Sequence, residues 1–197
     1  MRNKIILGAI STLVIAALGL GGPFLLKLSR WKQLDATYQE VFPSPAVLAP
    51  SLKEKKLLFH MKTGLDQDDS QLCVGFNIIF AAIEAGAEVS VLFDAGATLD
   101  LTDKSHNLVS TGVPLRLKKL IAAQMNLPLD RMPANYREYL LLLHERGARV
   151  YANTAMNVVT GFADKVLKPY PDYPFIKPAT YALVGELLAS ADKVFIY

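Results

Sequence analysis

Two apolar runs joined by a helix-like stretch decide the fold: residues 56–61 are KLLFHM and residues 89–94 are VSVLFD. Each run is short, apolar and bounded by charged or glycine-containing segments, which is typical of a buried strand. Between them, apolar residues recur at the spacing of one helical face from Leu72 to Ile83, and Gly86 stands where a helix would end. The stretch predicts a strand–helix–strand unit, whose strands pair in parallel through a right-handed crossover.

The rest of the chain continues the alternation of helices and strands. Further helices are predicted over residues 115–124, 133–146, 153–162 and 180–188, and further strands over residues 149–152 and 193–197. This order predicts the α/β class, with a three-layer α/β/α domain around a mostly parallel sheet of about five strands.

Two segments fall outside this alternation. Residues 95–111 are polar and longer than an ordinary connection, which predicts a lid or a docking loop. Residues 168–178 hold four prolines and three aromatic residues, which predicts a stiff loop with at most a brief extended piece. Its aromatic residues, Tyr170, Tyr173 and Phe175, are expected at the surface, where they would support association between copies of the chain.

The first residues form a separate apolar segment. No side chain from Ile5 to Leu26 is charged, and this length is enough to cross the hydrocarbon core of a bilayer. A cleaved signal peptide stays open as the alternative, because residues 17–19 (ALG) offer an exit site. Basic residues flank both ends, so the pattern favours only slightly a single-pass anchor with its domain on the extracytoplasmic, periplasmic side. We expect an anchor at 1–28, a juxtamembrane linker at 29–52 and an α/β domain at 53–197.

Composition narrows the functional classes. The net charge is +3, and acidic and basic residues are mixed along the chain. This gives no reason to expect a nucleic-acid partner. Cys73 is the only cysteine, so no intrachain disulfide can form. About 145 residues follow the linker, enough for one domain with its own core.

Polar side chains gather at the predicted carboxyl ends of three strands, where open parallel sheets bind their ligands. In chain order they are Lys62, Thr63, Asp66, Asp94, Asn153 and Thr154. Together they predict a ligand-binding crevice, beside a helix that begins near Ser70 and directs free backbone N–H groups towards it.

Each candidate in the crevice also has a structural explanation. Asp66, like its neighbours Asp68 and Asp69, suits the first turn of a helix, and Asp94 suits the cap of a turn. His60 is interpreted as a structural histidine of the first strand. No further carboxylate or histidine is spaced to complete a metal shell, so neither a metal nor a cofactor is expected.

Cys73 is the candidate nucleophile. It falls near the start of the predicted helix, where the helix dipole favours the thiolate. It also shares an apolar stripe with Phe76 and Phe80, which favours the role of a small buried hydrophobic residue. We expect the second role and keep the first as the alternative.

Residues 58–97, LFHMKTGLDQDDSQLCVGFNIIFAAIEAGAEVSVLFDAGA, resemble the opening of the DsrE/DsrF family, small α/β domains of sulfur metabolism. The ending ADKVFIY, residues 191–197, extends the likeness. Sulfur-carrying members of that family have their reactive cysteine beyond the third strand. Asn153 and Ala155 stand at that place here, and neither side chain can carry a persulfide. The resemblance also implies association into oligomers.

Three functions follow from these patterns. The leading one is a membrane-tethered, non-catalytic DsrE-like domain that binds a small ligand or a protein and is linked to sulfur or redox metabolism. The first alternative is a sulfur-relay protein of the sulfurtransferase type, which would carry a persulfide on Cys73. The second alternative is a structural subunit of a membrane assembly.

Overall fold

Five strands form one parallel sheet in the order β4-β3-β2-β1-β5. The computed structural model describes residues 50–102, 107–125, 127–159 and 173–197. The strands are β1 (Lys56–Met61), β2 (Glu88–Phe93), β3 (Arg149–Asn153), β4 (Lys177–Ala179) and β5 (Lys193–Ile196). The predicted α/β class and the parallel sheet of five strands are confirmed.

Five helices connect or flank the strands within the described ranges. They are α1 (Leu65–Glu84), α2 (Leu115–Met125), α3 (Tyr136–Glu145), α4 (Thr154–Val159) and α5 (Tyr181–Ser190). Short 3-10 turns occupy Pro50–Leu52, Ala95–Leu101 and Leu129–Arg131.

The two faces of the sheet bury different cores, because successive side chains of a strand point to opposite sides. On the face that we call the α1 face, Phe59 of β1 packs in a large cluster with residues of α1 and α3 such as Phe76 and Tyr139. On the opposite, α5 face, Leu58 belongs to a smaller cluster that includes Val184 of α5. Helices therefore lie on both sides of the sheet, as a three-layer arrangement requires.

Helix α1 begins earlier than the sequence predicts and contains a break. Its first residue is Leu65 rather than Ser70. Asp68 has extended backbone angles, with φ −158° and ψ 96°, and its carboxylate accepts the backbone N–H of Ser70 at 3.0 Å. Asp68 thus caps the second segment of the helix, and the predicted start corresponds to that segment.

Several described residues of the polar stretch after β2 pack against the core. Its first part folds into the 3-10 turn Ala95–Leu101, in which Ala97, Asp100 and Leu101 are buried. Leu108 is also fully buried. Buried apolar residues within this polar stretch therefore pack the connection against the core.

Several predictions fall outside the described residues. The anchor from Ile5 to Leu26, His106 and Tyr170 belong to ranges that the structure does not describe. None of the helices in the described ranges is both long enough and apolar enough to cross a bilayer.

Candidate functional site

The carboxyl ends of β1, β2 and β3 bring three polar side chains together. Parallel pairing sets Met61 opposite Phe93 and Phe93 opposite Ala152, so the strand ends are level. Asp94 and Asn153 follow directly, and the alternation of side chains places both on the α5 face. His60, one residue before the end of β1, points to the same face. We call His60, Asp94 and Asn153 the edge cluster.

Hydrogen bonds join the edge cluster through the carboxylate of Asp94. His60 Nε2 lies 2.8 Å from Asp94 Oδ2. Asp94 Oδ1 accepts the side-chain amide of Asn153 at 2.8 Å and the backbone N–H of Ala95 at 2.7 Å. The amide oxygen of Asn153 in turn accepts the backbone N–H of Ala155 at 3.0 Å. Both ends of the Asn153 amide are therefore fixed.

The carboxylate of Asp94 is held in its charged form. Burial raises the pKa of Asp94, but the hydrogen bonds from His60, Ala95 and Asn153 outweigh it, and the pKa lies below its ordinary value. A charged carboxylate only accepts hydrogen bonds, so the proton on Nε2 of His60 points at Asp94. This leaves Nδ1 as the second ring nitrogen, without a hydrogen-bond partner among the described residues.

The edge cluster is largely but not fully shielded from water. The side chains of His60 and Asp94 keep 10% and 16% of their surface exposed. With the Nε2 proton directed at Asp94, a neutral ring has its lone pair on Nδ1, which can accept a hydrogen bond. The cluster thus contains one imidazole oriented by a partly buried carboxylate.

The side chains of the other predicted crevice residues do not join this hydrogen-bond network. Lys62 is exposed, and the backbone N–H groups of Lys62 and Thr63 donate to the carbonyl of Tyr197 at 2.6 and 3.1 Å, which ties β1 to the end of β5. Thr154 is buried, and its hydroxyl donates to the carbonyl of Ala179 at 3.0 Å, a structural contact. Asp66 is exposed near the start of α1. Of the six predicted residues, the structure joins Asp94 and Asn153 in one network.

The sequence does not place His60 among the crevice residues, although a usable signal exists. In a parallel sheet with level strand ends, a residue two positions before Lys62 shares the face of Asp94. A polar residue inside an otherwise apolar strand, facing the predicted crevice, therefore belongs to that crevice.

Asp100 is a second residue that the sequence does not single out. Only 1% of its surface is exposed, and Oδ1 accepts the backbone N–H of Leu65 at 2.9 Å. Its other oxygen has no partner in the described part of the chain. Burial raises the pKa of Asp100 to about 7, with the Leu65 N–H opposing this and the nearby charge of Asp66 adding to it. No sequence pattern separates Asp100 from other acidic residues in a polar connection.

Cys73 lies beyond the first turn of α1, five positions after the cap residue Asp68. It is half-buried against the large core cluster and interacts with the hydroxyl of Tyr136. Burial raises the pKa of the Cys73 thiol, more than the hydrogen bond from Tyr136 lowers it. The thiol is therefore the dominant form at neutral pH. Within the described ranges, no three His, Cys, Asp or Glu residues are grouped to hold a metal ion.

The aromatic residues expected at the surface are packed instead. Tyr173 is 1% exposed, and its ring lies edge-on to Phe175 at 6.2 Å between centroids. Phe175 is half-buried and stacks on the ring of His144 at 5.0 Å. These rings stabilise the path into β4, so the prediction that they form an exposed association surface is wrong for both residues.

Comparisons with known proteins give a remote structural likeness. No family model matches the chain, and no curated protein sequence matches it. Among solved structures, the fold is similar to one described as the crystal structure of the ychN protein from E. coli, with a TM-score of 0.46 and 11% sequence identity over 73% of this chain and 99% of that one. At these values the likeness carries no argument about function, and membership of the DsrE/DsrF family stays a prediction.

Proposed function

We propose that the chain is a ligand-binding α/β domain whose binding site is the edge cluster, and that it is not a sulfur carrier. The observation that carries this proposal is the convergence of His60, Asp94 and Asn153 from three neighbouring strands. They meet at the carboxyl edge of a parallel sheet, the place where such sheets bind ligands. A polar network of this kind costs stability unless each member is satisfied, so its presence at this edge favours a functional role.

The chemistry of the cluster selects the ligand class. Both oxygens of Asp94 are occupied by donors, and both ends of the Asn153 amide are bonded. The group left without a partner among the described residues is Nδ1 of His60, which accepts a hydrogen bond when the ring is neutral. The proposed ligand is therefore a small polar molecule that donates a hydroxyl or amine proton to His60.

Two observations disfavour a sulfur relay. The position at which the resembling family has its reactive cysteine is held by Asn153, whose amide is bonded on both sides. Cys73, the remaining sulfur nucleophile, has a raised pKa and lies half-buried beside Tyr136. A relay needs an accessible thiolate, and this environment opposes one.

The membrane tether is part of the proposal and rests on the sequence. The uncharged stretch from Ile5 to Leu26 supports a single-pass anchor that holds the domain at a membrane, slightly more in keeping with the extracytoplasmic side. A connection to sulfur or redox metabolism rests on the DsrE/DsrF resemblance of residues 58–97. Mass analysis of the mature protein tests the anchor, because a mature chain that starts near residue 20 would contradict it.

Association with further copies, or with a membrane partner, is also proposed, now on different residues. Val194 and Ile196 lie on the same face of the edge strand β5, two positions apart, and are 38% and 67% exposed. Large apolar side chains exposed close together favour an interface. Native mass spectrometry of the full chain in detergent tests this, and a monomer at tens of micromolar protein would count against it.

A thermal-shift screen of small hydroxylated and amino compounds tests the binding site. We expect some of these compounds to raise the melting temperature of the full chain but not that of the His60→Gln and Asp94→Asn variants. His144→Gln is the matched control, since His144 bonds the carbonyl of Ala148 and lies outside the cluster. Compounds that stabilise the His60 variant as well as the wild type would place binding elsewhere.

A further inference from the structure

A cavity opens at the amino edge of the sheet, opposite the edge cluster. It has a volume of about 240 Å³ and lies between the α5 face of β1–β3 and the last turns of α5. Its size is below the range of pockets that hold drug-sized molecules, so it suits a smaller ligand. It shares none of its lining residues with the edge cluster.

The floor of this amino-edge cavity combines apolar and hydroxyl groups. Leu58, Ser90 and Tyr151 come from three neighbouring strands, and each is more than nine-tenths buried. The hydroxyl of Ser90 makes no hydrogen bond to another described residue. The Ser90 hydroxyl can therefore bond a polar group of a molecule that enters the cavity.

The wall supplied by α5 has the same mixed character. Leu183 and Leu187 are one helical turn apart and face the cavity, and Glu186 and Ser190 repeat at the same spacing beside them. The acidic and hydroxyl side chains place polar groups beside an apolar wall.

The rim offers one charge of each sign. Arg149 and Glu88 pair with each other at 3.3 Å. Lys56 and Glu186 also line the cavity, and neither makes an ion pair with another described residue. One cationic and one anionic group therefore remain at the mouth of the cavity.

We infer that the amino-edge cavity binds a small zwitterion with an apolar side chain, an amino acid of about the size of leucine. In this arrangement Lys56 faces the carboxylate, Glu186 faces the ammonium group, and the apolar side chain packs on Leu58, Leu183 and Leu187. Ser90 and Tyr151 supply hydroxyls to the polar end. This inference does not depend on the proposed role of the edge cluster.

Amide NMR spectra of the isotope-labelled full chain in detergent, titrated with L-leucine, test the inference. The expected result is saturable shifts of the Ser90, Tyr151 and Leu187 amides. Two truncated probes, 3-methylbutylamine and 4-methylpentanoate, lack the carboxylate and the amine respectively and should bind more weakly than leucine. Leucine that shifts none of these amides at millimolar concentration would overturn the inference.

Three variants separate specific binding from apolar trapping. Lys56→Gln and Glu186→Gln should each weaken leucine binding roughly fivefold, the effect of losing one exposed charge contact. Ser90→Val fills the floor with a residue suited to a strand and should abolish binding. Lys193→Gln is the control, because Lys193 is exposed outside the cavity. Equal binding by leucine and both truncated probes, unchanged in the two charge variants, would refute a zwitterion site even if Ser90→Val fails to fold.

Discussion

Asp100 accepts the first backbone N–H of helix α1, from Leu65, at 2.9 Å, although the two residues are 35 positions apart in the chain. Gly64, the residue before the helix, has no side chain to cap it. The 3-10 turn after β2 therefore supplies the cap for the helix after β1. This contact fastens together the connections that follow two neighbouring strands.

Asp100 should make the stability of the fold decrease as the pH rises. Its pKa of about 7 in the folded chain, against an ordinary value of 3.8, means that its contribution is complete below pH 4 and is lost as the pH rises through 7. The loss amounts to on the order of 4 kcal/mol at most. Urea unfolding of wild type and Asp100→Asn between pH 4 and 8 measures it.

The Asn variant should show a flatter pH profile over this range, since its amide does not ionise. The difference between the two proteins, rather than either profile alone, isolates Asp100 from other titrating groups. Parallel profiles for the two proteins would contradict a carboxyl that titrates near neutrality.

Asp94 should show the opposite pH dependence. Because its pKa is lowered in the folded chain, its contribution is present above about pH 4 and disappears as the pH falls below the ordinary value. Asp94→Asn should cost about 1–3 kcal/mol at pH 7, since three donors lose a charged acceptor. The cost should shrink in acid, and a deficit of constant size across the pH range would show that charge is not involved.

Asn153→Asp offers a sharper test of the edge cluster. The substitution sets a second carboxylate at the 2.8 Å contact with Asp94, where two like charges cannot both persist without strain. Asn153→Asp should be less stable than Asn153→Ala at pH 7 and should recover in acid, as one carboxyl takes up a proton. Thermal unfolding of both variants at pH 7 and pH 4 gives the comparison. Similar melting temperatures for the two at pH 7 would speak against a close contact.

Cys73 should react slowly with thiol reagents in the folded protein. Burial raises the pKa of its thiol, so the thiolate fraction at pH 7 is smaller than that of a free cysteine. Its iodoacetamide labelling rate should rise on unfolding in urea, and mass spectrometry of the native protein should find no persulfide. Cys73→Ala should cost on the order of 1 kcal/mol by leaving a small cavity. Rapid labelling with a sulfane sulfur on the residue would make sulfur transfer the leading function.

Gly64→Ala tests the close packing of the connection at the edge of the sheet, and Gly185→Ala in helix α5 is its control. A Cβ at Gly64 would lie 2.9 Å from Asp66 Oδ1 and 3.0 Å from the carbonyl oxygen of Gly96, so Gly64→Ala should destabilise by about 1–3 kcal/mol. Gly185 in α5 has no heavy atom within 4 Å of the same position, and Gly185→Ala should stabilise by roughly 0.5–1 kcal/mol. Urea unfolding of the two variants would contradict the close approach if both changed stability in the same direction.

The elements that the sequence predicts well are those with strong periodicity. The strands Lys56–Met61 and Glu88–Phe93 bury every residue after their first, and largely apolar runs of this kind have few other solutions. The start of α1 is missed because Asp68 interrupts the helix while capping its second part. Strand β4 consists of Lys177, Pro178 and Ala179. Its central residue is a proline, which single-sequence patterns assign to loops.

The site is harder to predict than the fold, because its residues meet only through pairing between strands. Asp94 and Asn153 can be inferred from their places directly after strands. His60 requires the register of β1 against β2, and Asp100 requires knowledge of a contact over 35 positions. The contact of Asp100 with Leu65 leaves no local pattern in the sequence.

The pairing of β5 with β1 has a consequence for biosynthesis. The backbone N–H of Lys56 donates to the side chain of Asp192, 136 positions later. One edge of β1 pairs with β5, which is synthesised much later than β1. Until β5 has left the ribosome, one edge of β1 has unpaired backbone N–H and C=O groups. The residues of β1 from Leu57 onwards are largely apolar. Contacts between such distant segments also slow folding. We therefore expect chaperones to bind the nascent chain during this interval.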